Sequence, residues 1–321
     1  MTIRSLFSAA RPQTLCSPYL LLTAWVFLNS GSALPLHAQS AFPSLREVGG
    51  VDRLPTSRPE VWALRYFTSV TLFTGFGEGA SEARGFALAL EGGSIPHLNL
   101  HRRTVGFYGT KEEDLNKSPA FGRLRISFQG PGETHLSLGW VPPVELNGAR
   151  PHLLAVAVER PFAHLSWARF TGRLMGQVGS VRGDFTCPAR QARAGSDPTT
   201  NPWGCLEASR DRHRQAYWGG QLTATSPPVG PGVRLHLGVA AARQLMAFQV
   251  NARYGDVWDR TRLEAEVTGF SVLGGAGWSM GNAGTGALQL FYSPMAVRRR
   301  PDDPLRREGL LNLRFVFGYR P

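Results

Sequence analysis

The sequence predicts an all-β fold, an antiparallel transmembrane β-barrel of about twelve strands with short turns at one end and longer loops at the other. Three observations predict it. Apolar and polar residues alternate with a period of two through most of the chain, most clearly at Leu311, Leu313, Phe315, Phe317 and Tyr319. The connections between alternating segments are by turns short and long. One segment alone is apolar enough to suggest a helical span, and it stands at the extreme N-terminus, which excludes a polytopic helical membrane protein. Composition agrees. Of 321 residues, 42% are hydrophobic and 18% charged, too apolar for a disordered chain, and the 37 glycines have no three-residue period.

Residues 1–38 read as a secretory signal. Arg4 and Arg11 supply a basic start, and Tyr19 to Leu28 form an apolar stretch shorter than a full span. Gly31-Ser32-Ala33 and Leu36-His37-Ala38 are cleavage patterns. Residues 39–60, rich in Pro, Ser and charge, form a periplasmic lead-in, and 61–321 form the barrel. Cys16 leaves with the signal. Cys187 and Cys205 then remain as an even pair bracketing a polar stretch, and an oxidising compartment closes them as a disulfide. No zinc-like companion lies near them, so no metal site is expected.

The strands are expected at about 62–76, 84–93, 96–108, 121–129, 133–141, 152–160, 164–184, 216–226, 232–254, 262–279, 285–297 and 309–320. In the 121–141 hairpin a three-residue turn at Gly130-Pro131-Gly132 pairs Ile126 with Leu136 and Leu124 with Leu138, so the apolar faces coincide. The segment 232–254 changes phase near Ala241 to Gln244 and is read as one long strand with a bulge. The even count puts both termini on the periplasmic side. Trp62, Trp140, Trp167, Trp218, Trp258 and Trp278 fall near strand ends, where interfacial aromatics are expected.

The signal segment, the alternating strands and the terminal Leu311 to Tyr319 together resemble a bacterial outer-membrane β-barrel protein, over roughly residues 60–321. The resemblance is one of class. It implies an outer-membrane location, contact with outer-membrane lipid and lipopolysaccharide, and recognition of the last strand by the barrel-assembly machinery. Here Tyr319 is followed by Arg320-Pro321, a departure from the usual aromatic end.

The candidate functional residues are charges on polar strand faces. Arg123, Arg125, Arg169, Arg173, Arg253, Glu264, Glu266 and Arg314, with Arg234, are read as lining the lumen. A symmetric turn at 255–261 places Arg253 opposite Glu264 and Asn251 opposite Glu266. Two functional forms follow: an arginine-lined channel for small polar or anionic solutes, or a self-neutralised, plugged barrel with a structural role. The last loop carries Arg298, Arg299, Arg300, Arg306 and Arg307, whose guanidinium groups suit lipopolysaccharide phosphates. Arg outnumbers Lys 33 to 2. The basic residues are spread over strands and loops rather than gathered on a nucleic-acid-binding fold, so no nucleic acid is expected.

Enzymatic readings are weaker. The turn Trp278 to Gly284 resembles the His-Ser stretch of outer-membrane lipid hydrolases, but Ser279 stands where the His belongs and Gly281 where the Ser belongs, and no His follows His236. No complete nucleophile and base pair is present, so neither an enzyme nor a cofactor is expected. His97, Asn99, His101 and Arg103 share a face if 96–108 is a strand, read as a polar lumen stripe. Glu112, Glu113 and Asp114 form the densest acidic cluster and are read as a solvated loop. The remaining alternative is an exported soluble β-protein that binds a glycan or a partner.

Overall fold

The computed structural model describes residues 46–76, 85–230, 232–281 and 283–319. The signal segment 1–38, the first residues of the lead-in, the 77–83 loop and Arg320-Pro321 lie outside the described residues.

Ten antiparallel strands close into a barrel. They are β2 (Phe86–Ser94), β3 (Ala120–Gln129), β4 (His135–Val141), β5 (Ala149–His164), β6 (Arg169–Gly183), β7 (Asp211–Thr225), β8 (Arg234–Gln249), β9 (Val257–Met280), β10 (Gly284–Ser293) and β11 (Leu310–Tyr319). Each pairs with the next in sequence, and β11 closes on β2, with Arg314 opposite Gly93 and Tyr319 opposite Leu88. Closure leaves no edge within the ring. Two further strands of the sheet lie outside it: the short segment Ala252–Tyr254, antiparallel to the first residues of β9, and β1 (Arg46–Arg53). β1 runs parallel to the first residues of β9, from Arg46 opposite Val257 to Arg53 opposite Glu264, in the part of β9 beyond the reach of β10, which pairs only from Val272 onward.

The outer face is apolar around the ring. Leu124, Ile126 and Phe128 of β3, Leu235, Leu237 and Val239 of β8, and Leu311, Leu313, Phe315 and Phe317 of β11 are all exposed. Their sequence neighbours point into the lumen and are buried, among them Arg123 and Arg125 of β3 and Asn312 and Arg314 of β11. The period of two thus sorts apolar out and polar in, the reverse of a water-soluble barrel.

Two expected strands are absent, and both differences have physical causes. The 62–76 segment is a helix, α1 (Pro59–Val70), followed by an extended stretch to Phe76. Its aromatic and β-branched residues favour a strand locally. Nearly every side chain of α1 is buried, and a helix surrounded on all sides needs no polar face. Pro59 and Glu60 in its first turn are the start signals that a helix would show in sequence. The 96–108 segment is a loop with a short helix, Leu100–Arg103, capped by Asn99 Oδ1 accepting from Arg102 N at 3.0 Å. His97 and His101 are therefore exposed loop residues rather than a lumen stripe.

At one end of the barrel the connections are 130–134, 165–168, 226–233 and 281–283; at the other they are 95–119, 142–148, 184–210, 250–256 and 294–309. The chain enters the lumen from the long-loop end. Arg46 N donates to Asp256 O at 2.8 Å at the outermost rung of β9, and Arg298 N donates to Ser57 O at 2.7 Å. α1 then descends, and Phe76 reaches the short-turn end beside Gly277 and Trp278. Arg46 and Tyr319, the first and last described residues, thus lie at opposite ends of the barrel, and the expectation that both termini share one side falls on residues outside the described ones.

Register explains three further differences. The β3–β4 turn spans 130–134, so Ile126 faces Leu138 and Phe128 faces Leu136, two residues from the expected pairing. An even shift keeps every side chain on its predicted face. β8 runs from Arg234 to Gln249 against β9 in unbroken register, without the expected bulge at 241–244. The change of phase there is a change of surroundings. Beyond it the inner face packs Met246 and Phe248 against Val61 and Leu64 of α1, while the outer face turns polar with Arg243. Trp62, expected at an interface, is fully buried on α1, with Tyr66 stacked on it at 6.0 Å.

Candidate functional site

The barrel wall grips the main chain of residues 69–76. A helix C-terminus leaves carbonyls without intrahelical donors, and the extended stretch after it has no sheet partner. Buried side chains from five strands supply what is missing. Arg314 donates to Ser69 O at 3.0 Å, Val70 O at 3.3 Å, Leu72 O at 2.6 Å and Thr74 Oγ1 at 2.9 Å. Arg123 Nη2 donates to Thr71 O, and Arg125 Nη2 to Thr74 O at 3.0 Å. Tyr217 Oη accepts from Phe73 N at 2.6 Å. Gln221 brackets Gly75, accepting from its N at 2.9 Å and donating to its O at 3.1 Å, and Gln289 donates to the same O at 3.0 Å. Gln177 and Gln215 both donate to Thr71 Oγ1.

The charges are arranged around one ring and two carboxylates. Phe73 is fully buried, with the guanidinium carbons of Arg123, Arg125 and Arg173 at 5.0, 4.5 and 4.9 Å from its centroid. Glu91 on β2 accepts from Arg123 Nη1 at 3.0 Å on each oxygen and lies 3.6 Å from Arg125 Nη1. Glu159 on β5 accepts from Arg173 at 3.0 Å. Gly139 makes room for this packing: a Cβ there would stand 2.9 Å from both Arg123 Cδ and Phe73 Cε2. Carboxylates, main-chain carbonyls and an aromatic face together compensate the guanidinium groups, as buried charge requires.

Arg123, Arg125, Arg173 and Arg314, expected to line the lumen, face it and are buried against the plug. Arg169 sits at the short-turn end, paired with Glu133 at 2.7 Å. Arg234 lines a vestibule of about 390 Å³ at that end, together with His135, Glu159, His236 and Ser279. Arg253, Glu264 and Glu266 are not in the lumen. They follow the outward phase of β9: Arg253 is opposite Trp258, Glu264 pairs with Arg262 at 2.8 Å, and Glu266 pairs with Arg243 at 2.7 Å. The hairpin turns at Gly255-Asp256 rather than over 255–261, which removes the expected Arg253–Glu264 and Asn251–Glu266 pairs.

The long-loop end is closed by packed loops. Cys187 and Cys205 form a disulfide with Cα atoms 5.7 Å apart, buried among Val250, Ala252, Phe248 and Tyr254. Phe185 meets Phe67 of α1 at 5.3 Å. The acidic cluster is a staple rather than a solvated loop. Lys117 bridges Asp114 at 2.7 Å and Asp184 at 2.6 Å, and Lys111, fully buried, donates to Glu113 at 3.0 Å and Thr186 O at 2.5 Å. In the last loop Arg298, Arg300, Arg306 and Arg307 are exposed. Arg299 instead turns inward, pairing with Glu308 and lying 4.6 Å over Trp62.

The sequence reading missed the glutamines, Tyr217 and the plug they hold. Gln177, Gln215, Gln221 and Gln289 occupy inward positions of their strands, so their face was legible, but their partner was read as another strand. Among the described residues no group of three or more His, Cys, Asp or Glu side chains is placed to hold a metal.

No protein-family model and no curated protein matches this chain. Among solved structures it is similar to the translocator domain of autotransporter NalP from Neisseria meningitidis, at 10% identity over 83% of this chain and 99% of that one, with a TM-score of 0.35. It is similar to the Pseudomonas putida toluene transporter TodX at 10% identity, over 79% and 74% of the two chains, with a TM-score of 0.31. The outer-membrane protease OmpT from Escherichia coli overlaps at 8% identity, over 73% and 93%, with a TM-score of 0.29. These neighbours are bacterial outer-membrane β-barrels, and the closed, antiparallel, ten-stranded barrel described above is of that general architecture.

Proposed function

We propose that this chain is an outer-membrane β-barrel closed to solutes by its own N-terminal segment, and that it presents β1 and the long loops at the cell surface rather than acting as an open anion pore. The observation that carries the reading is the plug: Arg123, Arg125 and Arg314 are engaged with the carbonyls of residues 69–74, so they are not available to solute anions. The exposed apolar belt supports the membrane setting. Soluble monomers seldom expose a continuous apolar surface of more than about 600 Å². The shortest wall strands other than β4, namely β2, β3, β10 and β11, have 9 or 10 residues, the length a tilted membrane-spanning strand needs.

Short turns face the periplasm in barrels of this class and longer loops face outward. That orientation puts β1 outside the cell. The exposed Arg298, Arg300, Arg306 and Arg307 then face lipopolysaccharide phosphate, and β11 is the strand offered to the assembly machinery. The role is structural and presentational, with no catalytic step. The test is labelling of Val51→Cys and Leu165→Cys variants, made in a Cys16→Ser background, with a membrane-impermeant maleimide, Cys187 and Cys205 being joined. Val51→Cys is expected to react on intact cells and Leu165→Cys only after the envelope is opened. The opposite pattern refutes the orientation. Stable conductance of the unmodified protein in a planar bilayer refutes the closed lumen. A second reading, a channel gated by withdrawal of α1, is favoured by the vestibule of about 390 Å³ already present at the short-turn end.

A further inference from the structure

A second cavity, of about 210 Å³, lies at the long-loop end between α1, the 95–119 loop and the outer parts of β8 and β9. Its walls are mostly apolar, with Leu64 and Phe67 from α1, Leu115 and Phe185 from the loops, and Phe248 and Leu263 from the strands. Three oxygen atoms of lining residues, Glu113 Oε2, Tyr254 Oη and Thr186 Oγ1, are buried and have no hydrogen-bond partner. Unpaired buried oxygens are uncommon, and three at one apolar cavity mark a place built for a polar head. The other oxygen of Glu113 is held by Lys111 Nζ at 3.0 Å, so the carboxylate already has a cationic partner within the protein. Burial pushes the Glu113 carboxyl up to about 8, so the head must serve both protonation states near neutrality. A hydroxyl does so, because it donates and accepts.

The rim is strained. Phe107 and Tyr108 are consecutive left-handed residues, with φ of 46° and 57°. They are held there by Glu60 Oε1, which accepts from Tyr108 N at 2.7 Å, and by Arg58, stacked 3.8 Å over the Tyr108 ring. The constraint places the Phe107 ring 6.4 Å from that of Tyr254 and 5.4 Å from that of Trp203. Such strain persists where the surroundings enforce it and collects at ligand clamps.

We propose that this cavity binds a small, neutral, largely apolar molecule with one hydroxyl group, hydrogen-bonded to Glu113 Oε2 and Tyr254 Oη. An apolar cavity of about 150 Å³ admits benzene, so this one admits a single ring with a short alcohol arm. The inference needs α1 seated in the barrel, since Leu64 and Phe67 form one wall of the cavity, but it uses none of the contacts at residues 69–76 that carry the closed-lumen reading, so conductance tests that reading and ligand binding tests this one.

The test uses the refolded chain in lipid nanodiscs and fluorine NMR of 2-(4-fluorophenyl)ethanol, with empty nanodiscs as the reference for partition into lipid. Saturable binding is expected, at least about tenfold tighter than that of 1-ethyl-4-fluorobenzene or 2-(4-fluorophenyl)ethylamine. Tyr254→Phe keeps the cavity's shape and is expected to weaken the alcohol about tenfold while leaving the hydrocarbon unchanged. Ala63→Phe fills the cavity and is expected to abolish both. Partition identical to empty nanodiscs, equal affinity for alcohol and hydrocarbon, tighter binding of the amine, or no effect of Tyr254→Phe would each overturn the proposal. Heat-shifted gel mobility of both variants shows that they have folded.

Discussion

Replacing Arg314 with Met tests whether the lumen segment is held by its guanidinium contacts. The side chain is fully buried, and its donations to Ser69 O, Val70 O, Leu72 O and Thr74 Oγ1 are the largest set that any one residue makes to the plug. Met fills most of the volume but donates nothing, so Ser69 O, Val70 O and Leu72 O each lose a donor, and Ser69 O and Leu72 O keep only their backbone bonds from Leu72 N and Thr74 N. Hydrogen bonds to a charged group are worth about 1.5–3 kcal/mol each, but these share one guanidinium and do not add. Removing a guanidinium close to Arg123 and Arg125 also relieves repulsion. A net loss of about 3 kcal/mol is expected, which raises the ratio of displaced to seated plug about a hundredfold. Single-channel recording in planar bilayers reads this as brief openings that the parent lacks. Arg243→Gln, which breaks an exposed outer pair with Glu266, is the control and is expected to leave the record silent. The reasoning is refuted if Arg314→Met folds, stays as silent as the parent, and keeps the same hydrogen-exchange protection over 62–73.

Other expectations follow from neighbouring contacts. Glu91→Gln leaves Arg123 and Arg125 facing a neutral group and is expected to lower the stability of the barrel by about 3–5 kcal/mol in urea unfolding from lipid; a change below about 1 kcal/mol contradicts the ion-pair reading. Cys187→Ser with Cys205→Ser removes a link between residues 18 apart, with an expected loss of about 3 kcal/mol confined to the outer loop. Trypsin should then cut after Arg190 or Arg193 markedly faster, and an unchanged rate would show that packing alone holds the loop. Glu113 binds its proton more tightly in the folded chain, at about 8, than in an unfolded one, at about 4.3. Its contribution is therefore greatest at low pH and is lost as pH rises through that window, with a slope approaching 1.4 kcal/mol per pH unit. Hydrogen exchange over 95–119, corrected for intrinsic rates, should show protection falling between pH 5 and 8, and Glu113→Gln should flatten the profile.

Ten of the twelve expected strands correspond to wall strands, because each has one apolar and one polar side and the period of two survives even a two-residue error of register. The disulfide was legible from the even cysteine count and the polar stretch between its ends. The faces of Arg123, Arg125, Arg173 and Arg314 were legible from the same alternation. Arg253, Glu264 and Glu266 misled because their strands extend past the apolar belt, where the outer face is polar and the inner face packs against α1. A rule that equates polar with inward reverses there. Arg299 misled in another way: its neighbours Arg298 and Arg300 are exposed, and nothing local indicates that it alone lies over Trp62.

The sequence by itself determined the alternating wall and which side chains face inward along the belt, since these depend on local periodicity. The tertiary structure decided what fills the barrel. Whether Trp62 to Phe76 becomes a strand or a helix with an extended tail depends on who satisfies its backbone. Within a wall a neighbouring strand would do so; inside the lumen, Arg314, Arg123, Gln221 and Gln289 do, from positions up to 245 residues away on the chain. Local propensity carries no information about such distant donors, and the burial of every face of α1 follows only once the ring has closed around it.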